Sequence, residues 1–346
     1  MSMLMASYQI SVVNDTTQAT PTNFQQLIQT TLQYPSGVRF WSPTDGWLYG
    51  WLESLSSTNQ AAIWVKIPSS IPANGVYQIY MVEDSSLNFD GVYWGEAPTL
   101  SSSYAQYDNG GNVFNNYWNF AGTSLPSSLA ETVLSNPSGA SGSYSVNNGI
   151  TISNTDGSDF WMSDYMITLV YDTSAISIPS IVQAQITSLT GNSGDSGWTK
   201  VGVLYQNSVI DSSDSNGEVD MVATSGSGYS FQWQCGTSYV APSCENNGES
   251  ISYPTDVSLV FPSTSSVGGF YGNSLGSLTQ MGSYVTPTSI TSSGYIGLFV
   301  TPHNSSGTSS GVFQYLLVRA YPPNGVMPET AIVPLQAWEV FMPPLP

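Results

Sequence analysis

Glu218 and Asp220 stand two residues apart in Gly217-Glu-Val-Asp-Met-Val-Ala223. The segment reads as a strand, where residues i and i+2 point to one face. Two neighbouring carboxylates are the groups that glycoside hydrolysis uses, at ~5–5.5 Å in retaining enzymes with one of them kept protonated. The stretch Asp211-Ser-Ser-Asp-Ser-Asn-Gly-Glu-Val-Asp220 is rich in oxygen and could instead hold calcium. Its candidate ligands are Asp211, Asp214, Asn216 and Asp220, and Asp156-Gly-Ser-Asp159 is a similar loop. Aligning Gly217 on the EF-hand glycine puts Ser212 and Ala223 at the first and last ligand positions, which excludes an EF-hand. No organic cofactor is expected, and calcium is the one ion these loops suit.

Aromatic rings supply a second chemistry. Trp and Tyr present an apolar face and a polar tip, which suits sugar rings and hydroxyls. Trp161 and Trp198 follow Gly/Asp-rich loops and, with Asp159 and Asp195, form the candidate sugar-binding set. Trp94, Tyr104, Tyr117, Tyr239 and Tyr271 lie in loops or near strand ends, whereas Trp41, Trp51 and Trp64 read as core. A Ser-His-Asp triad would need His303, the single histidine, and Thr301-Pro-His-Asn-Ser-Ser306 reads as an exposed loop. Cys235 and Cys244 are spaced to close a loop as a disulfide, and two thiols with one histidine cannot make a four-ligand zinc site. Asn14-Asp-Thr16 and Asn304-Ser-Ser306 are N-glycosylation sequons, with Asn14 and Asn304 as acceptors.

The elements that must position these groups are strands. Alternating patterns mark Tyr8–Val13, Ala62–Ile67, Tyr77–Val82, Met166–Tyr171, Val182–Ile186, Val201–Tyr205, Tyr229–Trp233, Val257–Phe261, Tyr295–Val300 and Val312–Val318. Helical spacing of Phe24, Leu27, Ile28 and Leu32 predicts one short helix over Asn23–Leu32, with a weaker candidate at Ser127–Leu134. Many short strands separated by Gly, Asn, Ser and Pro mean sandwiches or barrels.

Composition narrows the class further. Charged residues are 8% of 346, with 4 Lys and Arg against 23 Asp and Glu, a net charge of −19. Four cations cannot build a basic patch, which excludes a phosphate-tracking nucleic-acid binder and attraction to anionic lipid. No run of 18 apolar residues predicts a membrane-spanning helix. Met1–Ser7 lacks a cationic start and a long apolar core, unlike a signal peptide. Val257–Val318 holds no Asp, Glu, Lys or Arg, so its surface is hydroxyls and amides that hardly titrate. Such a surface suits an acidic or glycan-rich exterior.

The ordered motifs Gly37-Val-Arg-Phe-Trp41, Leu48-Tyr-Gly-Trp-Leu-Glu53, Ala62-Ile-Trp-Val-Lys-Ile-Pro68 and Val76-Tyr-Gln-Ile-Tyr-Met81 follow the opening strand. This first quarter of the chain resembles a domain of unknown function found in archaeal surface and secreted proteins, of V-R-F, W-x-E, W-V-K-x-P type. Val82-Glu83 replaces the Tyr-Gly pair that ends the family pattern. The resemblance implies a small β-sandwich. Gly294-Tyr-Ile-Gly-Leu-Phe299 and Phe313-Gln-Tyr-Leu-Leu-Val-Arg319, with the Pro-rich exit after them, resemble the closing strands of a concanavalin-like, laminin-G-like sandwich. That fold serves carbohydrate binding, adhesion and some glycoside hydrolysis. Its retaining glycosidases carry Glu-x-Asp-x-(x)-Glu, and Val222 or Ala223 stands where the second Glu belongs.

The expectation is an all-β protein of two β-sandwich, jelly-roll-like domains. A small sandwich would cover residues 1–90, a linker 91–103, a concanavalin-like sandwich 104–322, and a Pro-rich apolar docking tail 323–346. The expected role is non-enzymatic: a structural or adhesion component outside the cell, such as a spike, turret or fibre of an archaeal virus. Its partners would be cell-surface glycans, and other copies or subunits through the tail. The alternatives are an archaeal cell-surface adhesin and a concanavalin-like glycoside hydrolase using Glu218.

Overall fold

The computed structural model describes residues 4–5, 7–135, 141–155, 166–191, 199–208, 219–224, 229–235, 245–247, 251–287, 290–302, 308–336 and 340–344. They form two compact units, one of Met1–Tyr117 with Arg319–Pro346, the other of Trp118–Val318. The described fold is all-β, as the alternating patterns predict, and each unit is two stacked sheets. The expected boundaries shift, because residues 94–117 pack as part of the first unit and the chain returns to it at Arg319.

The chain opens with β1 (Leu4–Met5), β2 (Tyr8–Asn14), β3 (Phe24–Thr31), β4 (Val38–Ser42), β5 (Gly46–Leu48), β6 (Gly50–Leu55), β7 (Gln60–Ile67), β8 (Gly75–Glu83) and β9 (Trp94–Glu96). A short turn of helix, α1 (Gly110–Val113), and β10 (Asn116–Trp118) follow. The second unit holds β11 (Leu129–Ser135), β12 (Ser141–Val146), β13 (Ile150–Thr155), β14 (Met166–Asp172), β15 (Ile176–Ser177), β16 (Ser180–Thr190), β17 (Lys200–Gln206), β18 (Val219–Thr224) and β19 (Tyr229–Cys235). It continues with β20 (Glu245–Asn247), β21 (Thr255–Ser263), β22 (Ser266–Gly272), β23 (Leu278–Val285), β24 (Ser293–Thr301) and β25 (Thr308–Ala320). The last strands are β26 (Glu329–Pro334) and β27 (Phe341–Met342).

In the first unit the sheet β26-β2-β8-β4-β5 packs on β3-β7-β6-β9. Ile10, Val12, Phe40, Ile63, Val65, Ile79 and Met81 fill the space between them. The helix predicted over Asn23–Leu32 is a strand instead, β3, paired along its length with β7 from Phe24↔Ile67 to Thr31↔Gln60. Phe24 and Ile28 satisfy either period, and tertiary pairing decides between them. Gln25 fixes the outcome: its buried amide donates to the Asn23 and Val113 carbonyls and Asn115 Oδ1, and accepts from the Ala320 N–H.

Trp51 and Trp64 are fully buried but not between the two sheets. They face each other across β6 and β7 on the opposite side. Phe114 lies edge-on to Trp51 at 5.2 Å, and the Arg319 guanidinium sits 5.0 Å over the Trp64 ring. Asp108 locks this layer, accepting from Trp51 Nε1 at 2.9 Å, Gly110 N at 2.9 Å and the Tyr117 hydroxyl at 2.7 Å.

The segment expected as a docking tail pairs within its own unit. β26 is an edge strand of its own unit, paired with β2 from Tyr8↔Pro334 to Val13↔Glu329. β27 pairs β1, and Met342 is fully buried beside Val82.

The second unit stacks β12-β13-β25-β16-β21-β22-β23 on β11-β14-β24-β17-β18-β19-β20. Ile152, Val182, Val203, Met221, Trp233, Leu259, Leu298 and Phe313 lie between the sheets. The weaker helix candidate is the strand β11, paired with β14.

Replacing Asp108 by Ala strands three donors at once, each bonded to a charged acceptor. Chemical denaturation should show a loss of about 2–4 kcal/mol, with the far-UV spectrum unchanged.

Candidate functional site

β18 alternates as its sequence requires. Val219, Met221 and Ala223 point into the sandwich core, leaving Asp220, Val222 and Thr224 on the outward face of the sheet. The register then composes that face. Asp220 lies between Leu204 on β17 and Gln234 on β19, and Val222 between Gly202 and Gln232. Beyond β17 the same rows continue to Gly297 and Phe299 on β24. Lys200 stands between Thr224 and Thr301 at one end, and Gln206 beside Tyr295 at the other.

The face divides by chemistry. Toward β14, Ile167, Leu169, Leu204, Val222 and Phe299 form an apolar cluster. On β17–β19 polar residues interleave with Leu204 and Val222 of that cluster: Lys200, Gln206, Asp220, Thr224 and Gln232, each 5% exposed or less. Gly297 lies within the apolar side, between Leu204 and Tyr171, and a Cβ there would meet Leu169 Cδ1 at 2.7 Å. Lys200 is the single Lys or Arg between Trp118 and Val318. It lies four residues along the ladder from the level of Asp220, about 13 Å at the usual strand rise. A cation and a carboxylate thus stand at different levels of one buried face.

The structure places Asp220 of the sequence-derived candidates on this face. Glu218, Trp161, Trp198, Asp159, Asp195, Asp211, Asp214, Asn216, Tyr239, Cys244, His303 and Asn304 lie outside the described residues. Cys235 ends β19, half-buried against the core. Among the described residues, no group of three or more His, Cys, Asp or Glu could hold a metal ion. Trp94 is fully buried in the first core, and Tyr271 stacks on Phe231 at 4.3 Å in the second. Tyr104 and Tyr117 are half-buried, Tyr117 against Phe114.

The sequon at Asn14 is corrected. Asn14 is fully buried, its amide donating to the Gln18, Ile71 and Pro72 carbonyls while Oδ1 accepts from the Thr16 hydroxyl. The folded chain cannot present it to a glycosylating enzyme. Lys200, Gln206, Thr224 and Gln232 were missed by sequence reasoning. The signal was present in Lys200-Val-Gly-Val-Leu-Tyr-Gln206, where both polar residues fall on one parity.

Comparison with known proteins adds the following. Residues 34–88 match a family model described as a domain of unknown function, DUF2341. The chain is 38% identical over 125 residues to the uncharacterized protein 562 of Sulfolobus islandicus rod-shaped virus 1, covering 33% of this chain and 22% of that protein. It thus spans about a fifth of that relative's length. Similar solved structures include a pseudo beta-1,3-glucanase of Mycobacterium tuberculosis, with 10% identity, TM-score 0.39, and coverage of 60% of this chain and 98% of that one. Others are an endo-1,3-beta-glucanase from Streptomyces sioyaensis (14% identity, TM-score 0.39, 59% and 95%) and lectin II from Ulex europaeus (10%, 0.36, 55% and 98%). Since glucanases stand among these similar structures, the expectation of a protein without enzymatic activity is withdrawn.

Two predictions follow from the buried polar groups. Asn14→Asp removes the amide donors to three carbonyls and should cost about 2–4 kcal/mol in chemical denaturation. The second concerns pH. Burial raises the carboxyls of Glu96 and Asp172 above the ordinary range, and for Glu96 nearby Asp108 adds to this. A raised carboxyl binds its proton more tightly folded than unfolded, so stability increases as pH falls from neutral toward about 4. Asp84 is lowered by its hydrogen bonds from Ser86. At Asp45 burial alone raises the carboxyl, and the bonds from Ser69 and Tyr77 outweigh it, leaving it lowered. The stability these two supply is lost only below about pH 4. The denaturant midpoint should therefore be higher near pH 4.5 than at pH 7, and Glu96→Gln should flatten the difference.

Proposed function

We propose that the second unit engages carbohydrate on the outward face of β17–β19, as an exterior protein of a virus or cell acting on host glycans. The character of that face carries the reading. A sheet face that only had to pack would be apolar, and one that only had to meet water would be exposed. This one combines a carboxylate, a lysine, amides and hydroxyls, almost wholly buried, beside an apolar cluster. Small-molecule sites are built that way, from apolar lining with a few placed polar groups. The low charge of the chain supports neutral hydrogen bonding as the mode of recognition, and the viral relative supports an exterior setting. No helix is long and apolar enough to cross a membrane among the described residues.

In the hydrolytic form of this reading, Glu218 and Asp220 supply the carboxylates, the pair that their spacing in the sequence suggests. The test is binding and reducing-sugar release by the full chain on laminarin, agarose and galactosides. Asp220→Asn should weaken binding about tenfold. Sugar release abolished by Glu218→Gln assigns hydrolysis, and binding without release assigns a lectin-like role. No binding to any of the three defeats the proposal.

A further inference from the structure

The outward face of the first unit's β26-β2-β8-β4-β5 sheet carries a second arrangement. In the register, Trp47 on β5 lies beside Trp41 on β4, Trp41 beside Tyr80 on β8, and Tyr80 beside Gln9 on β2. The rings of Trp41 and Tyr80 are 5.9 Å apart and tilted by 35°. Four adjacent strands thus present one row about 14 Å long. Trp41, expected as core, is half-buried on this face, as are Trp47 and Tyr80. The next row holds Gln78 and Ser11, side by side. Gln9 Nε2 donates to Gln78 Oε1 at 2.8 Å, and Gln78 Nε2 donates to Ser11 Oγ at 3.1 Å. The amides are therefore held in place, and their residues remain half-buried.

One side of this floor has a wall. Val82 and Met342 form a buried pair against which Leu87, Leu335 and Val340 pack from the wall and Trp41, Trp47 and Tyr80 from the floor, and Trp47 Nε1 donates to the Pro344 carbonyl at 3.2 Å. The result is a step: an aromatic and amide floor against an apolar edge. Among the described residues of the floor, Trp47, Trp41, Tyr80, Gln9, Gln78 and Ser11, none carries a charge, and Arg39, the nearest described cation on this face, is buried and paired to Asp90 at 2.9 Å.

We propose that this step is a binding site for a neutral glycan chain, independent of the site proposed on the second unit. The absence of charge selects an uncharged ligand over nucleic acid, acidic peptide or acidic polysaccharide. The placement on a sheet face selects a sugar over a peptide. A peptide strand adds to an open sheet edge through backbone bonds, whereas the backbone here is already paired to strands on both sides of β8 and β2. What the face offers is ring surfaces beside amides and a hydroxyl, the complement of a sugar ring with apolar faces and polar rim.

The experiment is titration calorimetry of the full chain with laminarihexaose as the neutral probe and oligogalacturonate as the acidic one. Trp41→Ala and Tyr80→Ala should each weaken laminarihexaose binding about tenfold, while Trp41→Phe stays within about threefold of the parent. Because the second unit's proposed face also takes laminarin, the floor variants are repeated in an Asp220→Asn background, where a further loss of laminarihexaose binding reports this site alone and separates its failure from that of the second-unit proposal. If the alanine variants do not fold, Gln78→Ala on the same floor should still weaken binding about threefold. Unchanged affinity in the folded floor variants, equal affinity for the acidic probe, or no binding would overturn the proposal.

Discussion

Twenty-three carboxylates share a chain with four cations, so most acids in this molecule must be held by neutral donors. The constraint shapes both units. Asp90 accepts the backbone N–H groups of Val92, Tyr93 and Trp94 as well as the Arg39 guanidinium. Glu83 accepts the N–H groups of Gln33 and Tyr34, and Glu53 accepts the Trp64 indole. Each carboxylate thereby pins a turn or a ring. Where an ordinary domain spreads ion pairs over its surface, here the acids tie loops to strands. Because such bonds need fixed geometry, the charge deficit is also a demand for rigidity.

The same economy makes the outward sheet faces informative. With few ions to solvate them, these faces are built from rings, amides and hydroxyls, and differ by what covers them. Over β6 and β7 the face is closed by the Asp108 segment and Phe114. Over β17–β19 it is polar and buried. On β4, β5 and β8 it is aromatic and half open. One architecture thus yields a structural layer, a candidate groove floor and a candidate platform.

The strands were legible because a period of two survives in short segments such as Tyr8–Val13 and Val201–Tyr205. Asn23–Leu32 was not, since Phe24 and Ile28 fit both periods and only the partner strand β7 distinguishes them. The strand pairing of the tail was hidden for a related reason. Prolines and exposed apolar residues describe an extended segment, and nothing local to Glu329–Pro334 says that its partner is Tyr8–Val13, more than three hundred residues earlier. The sequence offered Asp220 by its spacing from another carboxylate, whereas its companions on the sheet face come from register. Trp41 read as core because it sits inside a family-like strand motif, and its outward placement follows from parity within β4. Asn14 looked like an acceptor because a sequon carries no information about burial.

The pairing of β2 with β26 has a consequence for how the molecule is made. The second unit is contiguous in sequence and is complete once residue 318 has been synthesised, whereas the first unit waits for residues 329–334 to close its sheet. Closing so long a loop carries an entropic cost that grows slowly with length, but the search delays pairing. Until then β2 presents a bare edge, the kind of surface that pairs with other chains. Synthesis from the N-terminus therefore makes the larger unit first, and the early part of the chain is the last to be sealed.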